Sequence, residues 1–236
     1  MKLAVLIPVF NEAQTIEELL RRVRTVPLPK EIIVVDDGST DGSREILKRL
    51  ETAIQAESDS LNELKIFFQP ANRGKGAAIQ SGLSHVTGDI VIIQDADLEY
   101  DPQDYVKLLE PIQAGHADVV YGTRFYGGGP HRVLFFWHYV GNQIVTFFSN
   151  VLTNLNLSDM EVGYKVFKSE VLKDIEIESE RFGFEPEITV KVAKKQCRVY
   201  EVPISYHGRA YAEGKKITWK DGFAAIYFMI RFWLKD

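Results

Sequence analysis

The sequence predicts an α/β fold with a Rossmann-like, mostly parallel sheet and helices on both faces. Short apolar runs alternate with helical patterns through the first half of the chain, as in parallel sheets covered on both sides. Polar clusters containing Asp, Asn and Gly follow several of these runs. Because open α/β folds bind ligands at the carboxyl edge of the sheet, the same pattern predicts where a site would lie.

The elements are expected in the following order. Apolar runs predict strands at residues 3–9, 31–35, 64–68, 90–93 and 117–121. Helical spacing predicts helices at 12–26, from 41 onward with Ser39 or Thr40 as cap, at 74–85 and at 104–114. The second half is less regular, with helices expected at 133–152, 185–195 and 219–234 and strands at 163–167 and 198–204.

Composition narrows the class of protein. A chain of 236 residues with 45% hydrophobic residues suits one compact domain with a large core. A net charge of -5 argues against nucleic acid as the main partner. The single cysteine, Cys197, excludes an internal disulfide framework and a cysteine-based zinc site. The first strand begins at Leu3, so we expect no signal peptide, and polar interruptions argue against a spanning helix.

The segment Asp95-Ala96-Asp97 is the most informative motif, because it follows the buried run at 90–93. Side chains alternate along a strand, so the two carboxylates can point the same way if the extended geometry persists. Two such oxygen donors suit Mg²⁺ or Mn²⁺, and the ion would in turn hold phosphates. An aspartate-rich turn is the alternative.

Three further polar clusters are expected at the same edge. They are Pro8-Val9-Phe10-Asn11-Glu12, Asp36-Asp37-Gly38-Ser39-Thr40-Asp41-Gly42 and Asn72-Arg73-Gly74-Lys75-Gly76. Each by itself is ordinary turn and capping chemistry. Together they mark the edge where a nucleotide would lie.

This ordered set of motifs resembles glycosyltransferase family 2, the nucleotide-sugar-dependent enzymes of GT-A fold. The resemblance continues through Gly122-Thr123-Arg124, the segment from Ser158 to Lys165, and His207-Gly208-Arg209. That longer pattern is similar to the polyprenyl-phosphate glycosyltransferases, which include dolichyl-phosphate mannose synthases. It implies a nucleotide-sugar-binding half at 1–122 and an acceptor half at 123–236, with a C-terminal acceptor-side extension.

The resemblance also implies roles for individual residues. The base and ribose pocket would be lined by Pro8, Asn11, Glu12, Asp36 and Asp37, with Lys75 near the nucleotide. Asp95, Ala96 and Asp97 would hold the metal ion and the sugar diphosphate, and Glu99 stands where relatives have a third metal ligand.

On the acceptor side, Arg124 and Arg209 would meet the donor diphosphate or an acceptor phosphate, since guanidinium offers a planar fork of donors. For Arg132 a surface salt bridge is an equal alternative. Lys215 and Lys216 would assist from a loop or form a solvated turn. Asp159 matches a position proposed as catalytic base; because the acceptor would already be anionic, an orienting or electrostatic role is expected. Where mannose synthases often have Thr-Ser-Gly-Phe-Arg, this chain has Glu161-Val162-Gly163-Tyr164-Lys165, which weakens an assignment to mannose.

Two predicted helices have more apolar surface than one core contact would use. The helix from Val133 is rich in aromatic residues, and the C-terminal helix is apolar almost all round. A membrane interface or an oligomer contact would cover the second face. We therefore expect a peripheral protein at the cytoplasmic membrane face.

The predicted function is an inverting, metal-dependent transferase that moves mannose or glucose from GDP-mannose or UDP-glucose to a polyprenyl phosphate. The main alternative is a family 2 enzyme with a non-lipid acceptor, such as a polysaccharide or a protein. A phosphoacceptor receiver domain and a sugar nucleotidyltransferase fit less well, because the former is shorter and the latter needs a long Gly-rich loop after strand one.

Overall fold

A computed structural model describes residues 1–55, 59, 61–125, 132, 135–180, 183–209 and 219–235, with the backbone alone at 55 and 219–221. Lys215 and Lys216, which the sequence places in an assisting loop, lie outside these ranges.

Seven strands form one sheet. They are β1 (Leu3–Val9), β2 (Lys30–Asp36), β3 (Asn62–Phe68), β4 (Ile90–Ile93), β5 (Val119–Thr123), β6 (Lys165–Lys168) and β7 (Val199–Pro203). The helices are α1 (Ile16–Thr25), α2 (Ser43–Gln55), α3 (Lys75–Leu83), α4 (Tyr105–Gln113), α5 (Phe136–Thr153), α6 (Ser169–Lys173), α7 (Phe184–Lys194) and α8 (Trp219–Lys235). A single 3₁₀ turn, Pro102–Asp104, precedes α4.

The strand order is β3-β2-β1-β4-β6-β5-β7, and only β6 runs antiparallel, pairing with both β4 and β5. The remaining pairs in the described sheet are parallel. The predicted mostly parallel α/β fold is thereby confirmed. The insertion of β6 between β4 and β5 brings the segment that precedes Lys165 beside the end of β4.

The centre of the sheet is covered on both sides. Every residue of β2 and β4 is buried, and since successive side chains point to opposite faces, both faces of these strands are enclosed. Helix α1 contributes Ile16, Leu19, Leu20 and Val23 to this core, the spacing of one helical stripe.

Several predicted boundaries shift for identifiable reasons. The first helix begins at Ile16, because Glu12 O accepts hydrogen bonds from both Thr15 N and Ile16 N in a preceding turn. Neither Ser39 nor Thr40 caps α2: Asp41 Oδ1 accepts the Ser43 N hydrogen bond at 3.0 Å, while Ser39 Oγ accepts from Asn11 N. Helix α6 and the 3₁₀ turn were not predicted.

Helices α5 and α8 pack against each other, and α8 also packs on α7. Ala225, Met229 and Phe232 form the buried stripe of α8. The predicted helix at 133–152 begins instead at Phe136, and Val133 lies outside the described ranges. No helix in the described part of the chain is long and apolar enough to cross a membrane.

Candidate active site

The first two polar clusters are joined where β1 and β2 end. Asn11 N donates to Ser39 Oγ at 3.0 Å, and Thr40 N donates to Asn11 Oδ1 at 2.8 Å. Glu12 N donates to Ser43 Oγ at 3.0 Å. Pro8, at the end of β1, is half-buried beside this junction. The pairing fixes the loop after β1 against the loop after β2.

Asp37 joins the second cluster to the third. Its carboxylate accepts hydrogen bonds from Arg73 N at 2.9 Å and Gly74 N at 2.6 Å. Burial raises the pKa of Asp37, against the lowering effect of these two bonds. Gly38 has a φ of 72°, and a Cβ there would lie 2.6 Å from the backbone of residues 71 and 72, so only glycine permits this approach.

Asp36 keeps an unused acceptor at this edge. Its Oδ2 accepts from Ser39 N at 3.2 Å and pairs with Arg44 Nε at 2.8 Å. Its Oδ1 is buried and has no hydrogen-bond partner within the described residues. A buried acceptor of this kind favours a ligand that donates, as a base or ribose would.

Lys75 joins the third cluster to the fourth. Its Nζ lies 2.7 Å from Asp95 Oδ1 and 2.8 Å from Glu185 Oε1, the latter on the first turn of α7. Burial alone would lower the pKa of Lys75, but the two carboxylates outweigh burial and raise it. Lys75 is therefore a fixed cation beside the aspartate motif.

The aspartate motif lies on a turn. β4 ends at Ile93, and Leu98 has a positive φ of 62°, so extended geometry does not persist through Asp97. Arg209 Nη2 donates to Asp97 Oδ2 at 3.0 Å. Burial and the charges of Asp95 and Glu99 raise the pKa of Asp97 to about 7. Ala96 is buried between the two aspartates.

Glu99 faces the C-terminal part of the chain. Its carboxylate accepts hydrogen bonds from Tyr206 OH at 2.9 Å, Arg209 N at 2.9 Å and Arg209 Nε at 3.3 Å. Arg209 Nη1 also lies 3.7 Å from Glu12 Oε2. One guanidinium thus connects the loop after β1 with the loop after β4.

Asp95 and Asp97 could supply two carboxylate ligands to a hard divalent cation, but they do not form a complete coordination shell. Three carboxylates crowd this turn, and crowding is one reason that the pKa of Asp97 is raised. Among the residues described, no group of three or more Asp, Glu, His or Cys side chains is arranged to hold a metal. Mg²⁺ and similar ions are often held by one or two carboxylates together with substrate phosphates, and Asp95 with Asp97 fits that pattern.

Arg124, which is half-buried, and the buried Asp159 form a two-pronged ion pair on the other side of the site. Arg124 Nε lies 2.6 Å from Asp159 Oδ2, and Nη2 lies 2.7 Å from Oδ1. Asn142 Nδ2 of α5 donates to Asp159 Oδ1 at 3.1 Å, and the Asp159 side chain has 0% exposure. Both oxygens of Asp159 are occupied, which favours an orienting role over proton abstraction.

Arg132 approaches the same region, since its Nη1 donates to Gly208 O at 2.8 Å, next to Arg209. The structure therefore brings together the residues that the sequence singles out from all four clusters, along with Arg132 and Arg209. Arg124 and its partner Asp159 lie next to them, since the Arg124 guanidinium is 5.2 Å from the ring of Tyr206, whose OH donates to Glu99.

Sequence reasoning missed the contacts of a set of buried and half-buried charged and polar side chains behind the motif. Glu185 pairs with Lys75, Asn142 with Asp159, and Glu201 Oε1 accepts from Ser158 N at 2.8 Å. Lys165 and Glu161, which the sequence places in one segment, lie close enough to Glu185 for its charge to act on both. The sequence does contain a sign of these contacts, namely a charged residue on the apolar face of a predicted element. Glu185, between Phe184 and Ile188, is an example.

Comparison with known proteins decides the family. The profile of Glycosyl transferase family 2 matches residues 4–176, which is well over half of the chain. The chain belongs to glycosyl transferase family 2. The predicted family and the predicted GT-A fold are confirmed.

Curated relatives agree with this membership. Low-salt glycan biosynthesis hexosyltransferase Agl6 of Haloferax volcanii is 29% identical over 232 residues, 97% of this chain and 53% of that protein. Glycosyltransferase AglJ of the same organism is 30% identical over 206 residues, covering 87% and 63%. A dolichol-phosphate mannosyltransferase of Pyrococcus furiosus is 29% identical over 219 residues, covering 91% and 59%. The chain spans between about half and two thirds of the length of these relatives.

Solved structures share the fold. Glucosyl-3-phosphoglycerate synthase from Mycobacterium tuberculosis with Mn²⁺ and UDP-glucose superposes with a TM-score of 0.72 at 18% identity, covering 99% of this chain and 78% of that one. The same enzyme with Mn²⁺, UDP and phosphoglyceric acid gives a TM-score of 0.71 at 18% identity, with the same coverage. At this identity the likeness concerns the fold.

Proposed function

We propose that this family 2 member is an inverting, metal-dependent hexosyltransferase that uses a nucleotide diphosphate sugar and a polyprenyl phosphate. The observation that supports it best is the convergence of the four polar clusters with two arginines at one sheet edge. Asn11, Asp37, Lys75 and Arg209 link the clusters directly. Such an arrangement would place a nucleotide pocket, an anionic metal site and cationic phosphate ligands side by side.

On the donor side, Pro8, Asn11, Glu12, Asp36 and Asp37 would line the base and ribose pocket. Asp95 and Asp97, with Glu99 as a candidate third ligand, would hold Mg²⁺ or Mn²⁺. When bound, the ion would neutralise charge on the departing nucleoside diphosphate. Lys75 would hold Asp95 in place. When the donor binds, Arg209 would give up a hydrogen bond to a carboxylate and donate to a phosphate oxygen instead. Its planar guanidinium suits either partner.

On the acceptor side, Arg124 and Arg209 would orient a phosphate so that its oxygen attacks the anomeric carbon opposite the leaving diphosphate. That oxygen is already anionic, so little proton abstraction is required. Catalysis would then consist mainly of positioning and charge neutralisation. Asp159 would hold the Arg124 guanidinium in a fixed orientation, because its buried carboxylate pairs with that group.

A lipid acceptor is supported by two apolar stripes that the protein leaves open. On α5, exposed residues recur at helical spacing, namely Trp137 (78% exposed), Ile144, Phe147, Phe148 and Val151. On α8 they are Phe223, Tyr227, Ile230 and Leu234 (77% exposed). We name these nine residues the apolar surface. Helix α5 also holds Asn142 against Asp159, so the α5 part of this surface belongs to the helix that would border the acceptor side.

Membrane binding would cover the apolar surface. Burying a large apolar side chain contributes about 1.5–3 kcal/mol, so three or four inserted side chains would hold the protein at a bilayer surface. The protein would lie peripherally on the cytoplasmic face, where nucleotide sugars are available. The dolichol-phosphate mannosyltransferase among the relatives supports the same class of acceptor.

The test is a transfer assay with undecaprenyl phosphate in phospholipid vesicles, Mg²⁺ or Mn²⁺, and labelled UDP-glucose or GDP-mannose in parallel. Labelled lipid from one donor is the expected result and would identify the sugar. Label transferred to a water-soluble acceptor such as 3-phosphoglycerate, with none in the lipid, would support the non-lipid alternative.

Vesicle flotation isolates the membrane step. Phe147→Asp combined with Leu234→Asp is expected to reduce flotation and lipid transfer without changing nucleotide affinity. Val106→Asp is the matched control, because Val106 is an exposed apolar residue on α4 outside the apolar surface. Equal flotation of both variants would count against the membrane contact.

A further inference from the structure

The segment from Asp159 to Gly163 spans the proposed site from one phosphate position to the other. At one end, Asp159 is bound to Arg124, the proposed acceptor-phosphate ligand. At the other end, the backbone of Gly163 touches the metal-site carboxylate, since a Cβ there would lie 2.1 Å from Asp95 Oδ2. In an in-line reaction the hexose must lie between the leaving diphosphate and the attacking phosphate, and hence alongside this segment.

The backbone on either side of Glu161 is fixed. The buried Lys165 Nζ donates to Met160 O at 3.0 Å and also to Val162 O. Gly163 N donates to Tyr100 OH at 2.9 Å. Because both flanking carbonyls are held by one ammonium group, the direction in which the Glu161 side chain leaves the segment is set by the fold rather than by a ligand.

Glu161 is half-buried, and it is the member of this segment with a carboxylate oxygen that lacks a partner. Its Oε1 is enclosed yet has no hydrogen-bond partner, and no ion pair to it is seen in the described ranges. The nearby cations are already engaged: Arg124 with Asp159, Lys75 with Asp95 and Glu185, and Lys165 with two carbonyls. Burial and the neighbouring Glu185 charge raise the pKa of Glu161 to about 7.

An enclosed carboxylate oxygen without a hydrogen-bond partner lowers stability. Proteins typically keep such a destabilising group where function needs it. A hexose has hydroxyl donors all round its ring, and a carboxylate accepts two of them at once. We propose that Glu161 is a specificity-determining residue that accepts hydrogen bonds from hydroxyl groups of the donor hexose. This inference rests on the proposed function, because it requires a nucleotide sugar in the site.

The test compares binding of the donor with binding of its nucleotide alone. Calorimetric titrations with Mn²⁺ would use UDP, UDP-glucose, GDP and GDP-mannose against the wild-type chain and Glu161→Gln. For the preferred pair, Glu161→Gln is expected to weaken nucleotide-sugar binding by about 10- to 100-fold, the loss of one or two charge-assisted hydrogen bonds. Affinity for the free nucleoside diphosphate should stay within about twofold. Glu110→Gln, at an exposed position on α4, is the matched control and should change neither.

Deoxy-sugar donors locate the contact. A nucleotide sugar lacking the contacted hydroxyl should bind the wild-type chain weakly, and Glu161→Gln should no longer distinguish it from the parent sugar. Thermal melting adds a second readout: without ligand, Glu161→Gln and the apolar Glu161→Met should melt at or above the wild-type temperature. A purely structural glutamate would give a lower melting temperature.

Equal weakening of nucleotide and nucleotide-sugar binding, or no weakening of either, would overturn the role of Glu161. Failure of the wild-type chain to bind any nucleotide sugar would overturn the proposed function, and this inference with it. The two failures are distinguished by the wild-type titration.

Discussion

Gly163 offers the sharpest test of how the Asp95 carboxylate, a proposed metal ligand, is positioned. A Cβ added there would lie 2.1 Å from Asp95 Oδ2, whereas ordinary van der Waals contact begins at 3.4 Å. A second atom also obstructs this Cβ, because Tyr100 Cε2 would lie 2.9 Å from it. Gly163→Ala therefore forces the Asp95 carboxylate away from its place beside Lys75.

The size of the effect follows from that distance. Asp95 has to retreat by about 1 Å, and a misplacement of about 1 Å in a catalytic group can cost roughly 100-fold in rate. We expect Gly163→Ala to lower turnover by about that factor and to weaken Mn²⁺ binding. The core strands are untouched, so the fold should remain.

The assay is Mn²⁺ titration followed by electron paramagnetic resonance, together with donor turnover and a thermal melt. Gly141→Ala is the matched control, since a Cβ at Gly141 on α5 meets no atom within 4 Å. If Gly163→Ala binds Mn²⁺ and turns over the donor as well as the wild type does, contact with Gly163 does not fix the position of Asp95. A collapse of the melting temperature would instead show that the segment is needed for folding.

Two further predictions concern buried charge. Arg124→Ala should destabilise the fold by about 3–5 kcal/mol, because it leaves the buried Asp159 carboxylate without its cation. Adding Asp159→Asn should recover part of that loss in a urea melt, and an Arg124→Ala variant within about 1 kcal/mol of wild type would contradict the assignment. Burial alone would raise the pKa of Glu31, but hydrogen bonds from Thr87, Lys65 and Gly88 outweigh it and lower the pKa to about 2. Since the folded-state pKa lies below the unfolded one, this carboxylate stabilises the fold above about pH 4.5, by about 3 kcal/mol, and the contribution disappears as the pH falls towards 2. Glu31→Gln should therefore be less stable than wild type at pH 7 and nearly equal at pH 2; a constant difference across that range would exclude the mechanism.

The strands and the donor-side motifs were predictable because their signals are local. An apolar run such as 90–93 is long enough for a strand and too short for most helices, and β4 was found there. Polar residues directly after such runs must share one edge when the strands are parallel. The contacts from Asn11 to Ser39, from Asp37 to Gly74 and from Lys75 to Asp95 follow from that rule. The roles of these residues as ligands stay predictions.

The apolar helices were predictable in kind but not in orientation. The sequence indicates that α8 is apolar nearly all round and needs cover on two sides. Which side packs depends on α5 and α7, and the structure buries Met229 and Phe232 while leaving Tyr227 and Leu234 exposed. Periodicity by itself does not distinguish the two stripes, because both are apolar.

By itself, the sequence determined the fold class, the family and the edge of the sheet where the candidate site residues meet, since each depends on local patterns and their order. Only the tertiary structure decided that β6 runs antiparallel between β4 and β5, so that Gly163 lies against Asp95. It also decided that Lys75 is shared by Asp95 and Glu185, residues 90 positions apart. Such contacts depend on how segments that are distant in sequence pack together, and a local sequence pattern does not contain that information.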